Sequence, residues 1–311
     1  MSQTVIIKRT LTPDLPPPTL QPGELAVEMA SIPPKLWVGV PTNIDPVGKK
    51  LLSPTNVTIA PEISFFQSSG TLKFVSRTQL SFKPYNGNQL QIDGKNFVIP
   101  DAGIPGLSNV GLVGATRYYV YVYNNAGVLT AEFSTVGHST STKQGNSGTE
   151  IKIGDDSRTL IGMVYTGSNT QFYDEPAYRF VRSWFNDTGL ACLAMWPSNQ
   201  LWASVGWNLS GYPLAFLSWA NEWVSFEFNS PISPQAINVA FQGVLTLDGI
   251  NVSVQSIVSM ASIGYNYPFS VVHDMLVTEG YHVMNMNGNS GGNAVNFFHA
   301  VLILRNTGSG V

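Results

Sequence analysis

Charged side chains are scarce in this 311-residue chain, at 11% of the total against about 25% in ordinary soluble domains. A monomer so poor in solvating charge has difficulty covering its surface, which implies that part of that surface meets sister subunits. A surface rich in Ser, Thr, Asn and Gln is the alternative. The 16 Lys and Arg against 19 Asp and Glu contain no basic run, which argues against nucleic acid as a partner. Cysteine is nearly absent. The lone Cys192 excludes an intrachain disulfide framework and a cysteine zinc site, and its apolar neighbours Leu190 to Met195 read as a buried segment. No apolar run is long enough to cross a bilayer, and residues 1–9 lack the apolar centre of a secretion signal. Synthesis in a cytoplasm without membrane insertion is the expectation.

Chemistry-bearing motifs are missing too. The four histidines, His138, His273, His282 and His299, show no metal-ligand spacing. His273-Asp274 with His282 is the one suggestive group, and it would meet in a single sheet if consecutive strands carried it. The acidic pairs Asp155-Asp156 and Asp174-Glu175 do not fit a calcium loop. No Gly-x-Ser-x-Gly elbow, phosphate loop or dinucleotide fingerprint occurs. A non-enzyme without cofactor or metal is therefore expected. A carboxylate pair of the glycosidase kind, whose spacing is spatial, leaves a polysaccharide depolymerase as a minor alternative.

What is present is β texture. Hydrophobic residues reach 43% and aromatics 11%, and no segment shows convincing helical periodicity. Residues 1–58 are dense in proline, which removes amide donors and forbids a helix or a central strand, yet they carry apolar residues that would be costly to leave in water. This predicts an extended arm that docks on another protein through Leu25, Val27, Leu36 and Trp37. From residue 59 short apolar runs alternate with Gly, Asn and Asp. The clearest hairpin joins Arg117–Tyr123 to Val128–Phe133 across Asn124 to Gly127, with Tyr119, Tyr121 and Tyr123 on one face and Val120 and Val122 on the other. Residues 138–149 read as an exposed polar loop. Regular strands from 190 onward suggest a sandwich or jelly roll. The expected organisation is all-β: an extended arm over 1–58, a β-rich domain over 59–189, and a jelly-roll-like sandwich over 190–311. Between residues 196 and 223 five tryptophans cluster, suited to core packing or, with neighbouring amides, to stacking on sugar rings.

Two strings carry a resemblance. Tyr118–Tyr121, Leu129–His138, Thr149–Val164 and Arg179–Asn186 together resemble a segment of bacteriophage tail-fibre and related virion proteins. Pro22–Val27 with Leu36–Gly39 is similar to the opening of many phage appendage proteins. The end of the chain, Glu279 to His282 and Val301 to Leu304, is more weakly similar to trimeric jelly-roll tips. The resemblance implies a virion location, a homotrimer, and an arm bound to a tail or head–tail adaptor protein. A short tail fibre touching a host glycan or protein is the leading expectation, and a capsid decoration protein is the alternative because no long shaft is present. If the arm marks the virion-proximal end, the distal loops carrying Tyr265, Asn266, Tyr267 and Asn289 are the expected receptor contacts.

Overall fold

A computed structural model of the chain describes residues 68–309, apart from Ser198 and Val205, and the backbone of four strands nearer the N-terminus. Every regular element among these residues is a β-strand, as the sequence predicts. The chain divides into two compact units, 1–65 and 66–311.

In the first unit the strands Ile7–Thr10, Leu25–Glu28, Lys35–Gly39 and Lys49–Leu52 pair in chain order. This corrects the expectation that proline leaves no room for a central strand. Prolines 13, 16, 17, 18 and 22 fall between the first two strands, 33 and 34 between the next two, and 41 and 46 before the last. Each strand occupies a proline-free interval and keeps its amide donors. Leu25 lies opposite Val38, and Val27 opposite Leu36, with Trp37 opposite Ala26. The side chains of these four expected docking residues, Leu25, Val27, Leu36 and Trp37, lie outside the described residues.

The second unit contains two β halves. In the first half, Arg117–Asn125 is flanked by Val128–Ser134 and Asp155–Tyr165. Asp155–Tyr165 in turn pairs with Glu150–Lys152 and Val181–Ser183. The 117–125/128–134 hairpin closes over Ala126 and Gly127, both at positive φ (49° and 97°). That is the geometry whose twist matches flanking strands. Strand alternation then sorts the side chains. Tyr118, Val120 and Val122 enter a core with Leu80, Phe82, Leu90 and Phe172, covered by the hairpins Thr71–Ser76/Gln79–Lys83 and Gln89–Ile92/Lys95–Val98. Tyr119 and Tyr121, from the other face, pack with Leu160, Met163, Leu217 and Trp219. This last cluster joins the two halves.

The second half is built of two facing sheets. Its eight principal strands in chain order are Ala191–Met195, Leu214–Ser218, Glu222–Pro234, Val239–Leu247, Ser256–Met260, Tyr267–Val277, Gly280–Asn289 and Val301–Ser309. One sheet runs 1-8-3-6 and the other 2-7-4-5. Phe241 of the second sheet meets Phe269 and Phe297 of the first edge-on at 5.0 and 5.1 Å. Each such buried ring contributes roughly 2–3 kcal/mol of hydrophobic stabilisation. Leu190 is the first residue of this core, and Cys192 belongs to it, its thiol pushed by burial up to about 12. The sheets interlock across residue 189. Tyr178–Arg179 adds to the 2-7-4-5 sheet beside Leu214–Ser218, whereas Val181–Ser183 stays with the first half.

Two loop readings change. Residues 138–149 are not a free loop: His138–Thr140 is a strand paired with Glu150–Lys152, and Asn146 is buried, donating to Asp156 at 2.7 Å. Similarly, Asn289, expected in a distal loop, is the last residue of the strand Gly280–Asn289.

Candidate functional site

A cleft of about 1230 Å³ opens where the two halves of the second unit meet. Its walls come from the segment after Val181–Ser183, the turn between Leu214–Ser218 and Glu222–Pro234, and the end of the last strand.

At one side stands His138, presented by the strand that pairs with Glu150–Lys152. Its Nδ1 lies 2.5 Å from Glu150 and its Nε2 3.0 Å from Glu279. Tyr119 donates its hydroxyl to Glu279, and Thr140 donates to Glu150. Arg117 donates to the Glu279 carbonyl at 3.2 Å. Three rings, Tyr119, Trp184 and Trp219, surround the imidazole at 5.4 to 6.1 Å. Burial alone would depress its pKa. The two carboxylates outweigh that and raise it to about 9, so the ring is a cation at neutral pH. Burial opposes ionisation of Glu150 and Glu279 as well, but their hydrogen bonds to His138 hold both below the ordinary carboxylate range.

The floor is a second network. Arg182, 3% exposed, grips Glu222 with both terminal nitrogens at 2.6 and 3.0 Å. It also donates to Asp187 at 2.8 Å and to the Leu217 carbonyl at 2.8 Å. Glu222 takes two further donors, the Trp219 amide at 2.8 Å and Asn306 at 3.1 Å. The Trp219 indole N–H donates to Asp187 at 3.3 Å. Such a buried charge is tolerable because its counter-charges and hydrogen bonds are all in place.

His138 is held as a cation by Glu150 and Glu279, and Arg182 by its bonds to Glu222 and Asp187. Trp184 and Trp219, packed edge to face at 4.9 Å, give the wall an aromatic surface among Asn86, Asn221 and Asn306. No group of three His, Cys, Asp or Glu side chains is placed to hold a metal among the described residues.

Most of the residues singled out in the sequence lie elsewhere. His273 and His282 do not meet: His273 sits in the 1-8-3-6 sheet opposite Phe226, and His282 in the other sheet opposite Phe216. His282 pairs instead with Asp248 at 2.8 Å. Of the five clustered tryptophans, Trp196 is buried and stacked on Trp202, Trp219 reaches the cleft, and Trp207 and Trp223 are exposed. Tyr265 and Asn266 are exposed on the loop after Met260, while Tyr267 begins the next strand and accepts the Ser262 amide at 3.1 Å. Asn289 lies opposite Gln242, three residues from Val239, which faces Met260. The four candidates therefore share one end of the sandwich. His138 escapes a reading of the sequence because its partners are 12 and 141 residues away.

No family model and no curated protein matches the chain. Among solved structures it is similar to an insecticidal delta-endotoxin of Bacillus thuringiensis, at 9% identity and a TM-score of 0.28, over 77% of this chain and 52% of that one. It is also similar to infectious bursal disease virus, Gx strain, at 8% identity and a TM-score of 0.27, over 93% of this chain and 66% of that one. The chain thus spans about half the length of the toxin and just under two thirds of the viral chain.

Proposed function

We propose that this chain is a structural protein of a bacteriophage virion, a short tail fibre that works as a homotrimer and contacts the host. The observation that carries the reading is the outer face of the 1-8-3-6 sheet. Leu193, Ile303, Glu227 and Val272 form one row across its four strands, and Trp223 pairs with Leu276 further along. Met195 is 63% exposed, Val272 54%, and Trp223 and Leu276 46% each. A sheet face with this much apolar surface in a charge-poor chain is suited to burial against identical copies. The 1-8-3-6 and 2-7-4-5 orders support reading the sandwich as a jelly roll, and the resemblance of Tyr118–Asn186 to virion appendage segments supplies the setting.

Light scattering on the purified chain tests assembly. The expected mass is three chains, falling to one in a Leu193→Lys/Val272→Lys variant whose circular dichroism is unchanged. A wild-type monomer at micromolar concentration overturns the trimer. Deleting residues 1–58 should leave a soluble oligomer that no longer joins particles, and normal incorporation would overturn the arm's role in attachment. A capsid decoration protein is the second reading, favoured by the absence of any shaft-like repeat or helix among the described residues. Imaging of particles carrying a labelled chain separates the two, since the label sits on the tail in one case and on the head in the other.

A further inference from the structure

We propose that the cleft between the two β halves binds a short oligosaccharide, which enters past Thr188 and Asn221 and lies against the indole of Trp184. The inference goes beyond assembly and does not rest on the virion reading, because the cleft is lined by residues of one chain.

Three features specify the ligand. The first is charge. Of the ionisable lining groups, His138 is engaged by two carboxylates, Glu150 and Glu279, and Arg182 by two more, Glu222 and Asp187, so neither cation is free for a ligand. That leaves Arg305, at the rim, as the one charged lining group without an ion pair among the described residues. A multiply acidic ligand would meet engaged cations and an excess of acidic side chains, whereas a neutral chain needs no counter-charge and a singly acidic one has Arg305 alone to receive it. The second is uncommitted polarity. Thr188 and Asn221 are exposed at the mouth and make no side-chain hydrogen bond among the described residues, so both can serve hydroxyls. The third is the aromatic wall. Trp184 is only partly buried, and its position is fixed by Trp219 and His138 at 4.9 and 5.4 Å. A preset indole meets the apolar face of a pyranose without losing rotamer freedom on binding. The volume, about 1230 Å³, exceeds the roughly 300–1,000 Å³ of pockets for drug-sized molecules and suits a chain of several sugar units over a single one. The network beneath rigidifies the walls, since Arg182 ties Val181–Ser183 to Glu222 and, through it, to Asn306.

The experiment uses the full chain in its native oligomer. Saturation-transfer NMR and calorimetry are run with short soluble oligosaccharides of glucose, of N-acetylglucosamine, and of glucose ending in a single glucuronate. Binding of a neutral or the singly acidic member is expected, and Trp184→Ala should weaken it by about tenfold. Because Trp184 also packs on His138, two surface variants provide an independent arm. Ala220→Trp, at an exposed lining position, should block the cleft, and Thr188→Ala/Asn221→Ala should weaken binding several-fold, both with unaltered thermal unfolding. Arg305→Ala should weaken the glucuronate-bearing chain alone, which separates an acidic from a neutral ligand. No binding by any of the three at millimolar concentration overturns the proposal, as does binding that Ala220→Trp leaves intact.

Discussion

His138 and Glu279 stand 3.0 Å apart across 141 residues of sequence and join the two β halves of the second unit. The clasp is electrostatic, so its strength depends on pH in a direction that can be worked out. The folded pKa of His138 is raised from 6.5 to about 9. Its contribution is therefore complete below about 6.5 and is lost as pH climbs through about 9. Glu150 and Glu279 are lowered from 4.5, so theirs is complete above 4.5 and is lost as pH falls through their folded values. Thermal unfolding midpoints should form a plateau between those limits and decline on both sides. His138→Gln should remove the alkaline decline between about pH 6.5 and 9, below the range in which the thiol of Cys192 and the tyrosines ionise in the unfolded chain. An unchanged alkaline slope in that variant would show that the clasp contributes nothing.

Arg182 is expected to be the most sensitive position of the cleft floor. Truncation to alanine leaves Glu222, whose side chain is 6% exposed, without its counter-charge. Losing one partner of such a buried pair costs roughly 3–5 kcal/mol. Lysine should rescue little, because one ammonium cannot reproduce the two-pronged grip on Glu222 and the simultaneous bonds to Asp187 and the Leu217 carbonyl. Urea denaturation of the alanine, lysine and wild-type chains measures this. Equal midpoints for lysine and arginine would contradict the geometry.

Gly243 and Gly288 face each other across adjacent strands of the 2-7-4-5 sheet. A methyl at Gly288 would stand 2.6 Å from the Phe241 ring, and one at Gly243 would stand 2.7 Å from the Phe269 ring. The two glycines thus leave the space in which those rings cross. Alanine at either position should cost about 1–3 kcal/mol by overpacking. Phe269→Leu in the Gly243→Ala background should recover part of it, a coupling that denaturation of the double variant would detect. Additive losses would mean that the ring is not the obstacle.

Much of this architecture is legible in local pattern. The Tyr119/Tyr121 and Val120/Val122 alternation assigns two faces without reference to any partner, and each face finds its own core. The Asp248-Gly249 turn likewise closes where its residues allow positive φ. Proline density misleads, because density over a window hides the proline-free intervals that pair. The cleft is illegible for a different reason. Arg182 and Glu222 are 40 residues apart, and His138 and Glu279 lie in different halves. Neither pair has a short-range signature, so only the docking of the halves brings them together.

The end of the sandwich that carries Tyr265, Asn266, Tyr267 and Asn289 gives the last expectation, and it concerns where a fibre touches its host. The four are not equivalent. Tyr265 is 67% exposed and Asn266 is also exposed, so both can be changed at little structural cost. Tyr267 packs against the sandwich core and its hydroxyl fixes the Ser262 amide, so an alanine there would loosen the loop as well as remove a contact. Asn289 accepts the Gly291 amide at 2.8 Å and shapes the turn that follows. A clean test therefore changes Tyr265 and Asn266 to alanine, keeps Tyr267 and Asn289, and measures adsorption of assembled particles to host cells. Adsorption should fall tenfold or more, the equivalent of about 1.4 kcal/mol, with oligomer mass and thermal unfolding unchanged. If adsorption is instead normal here and lost in the Ala220→Trp variant, host contact belongs to the cleft and this end of the sandwich is only a set of solvated turns.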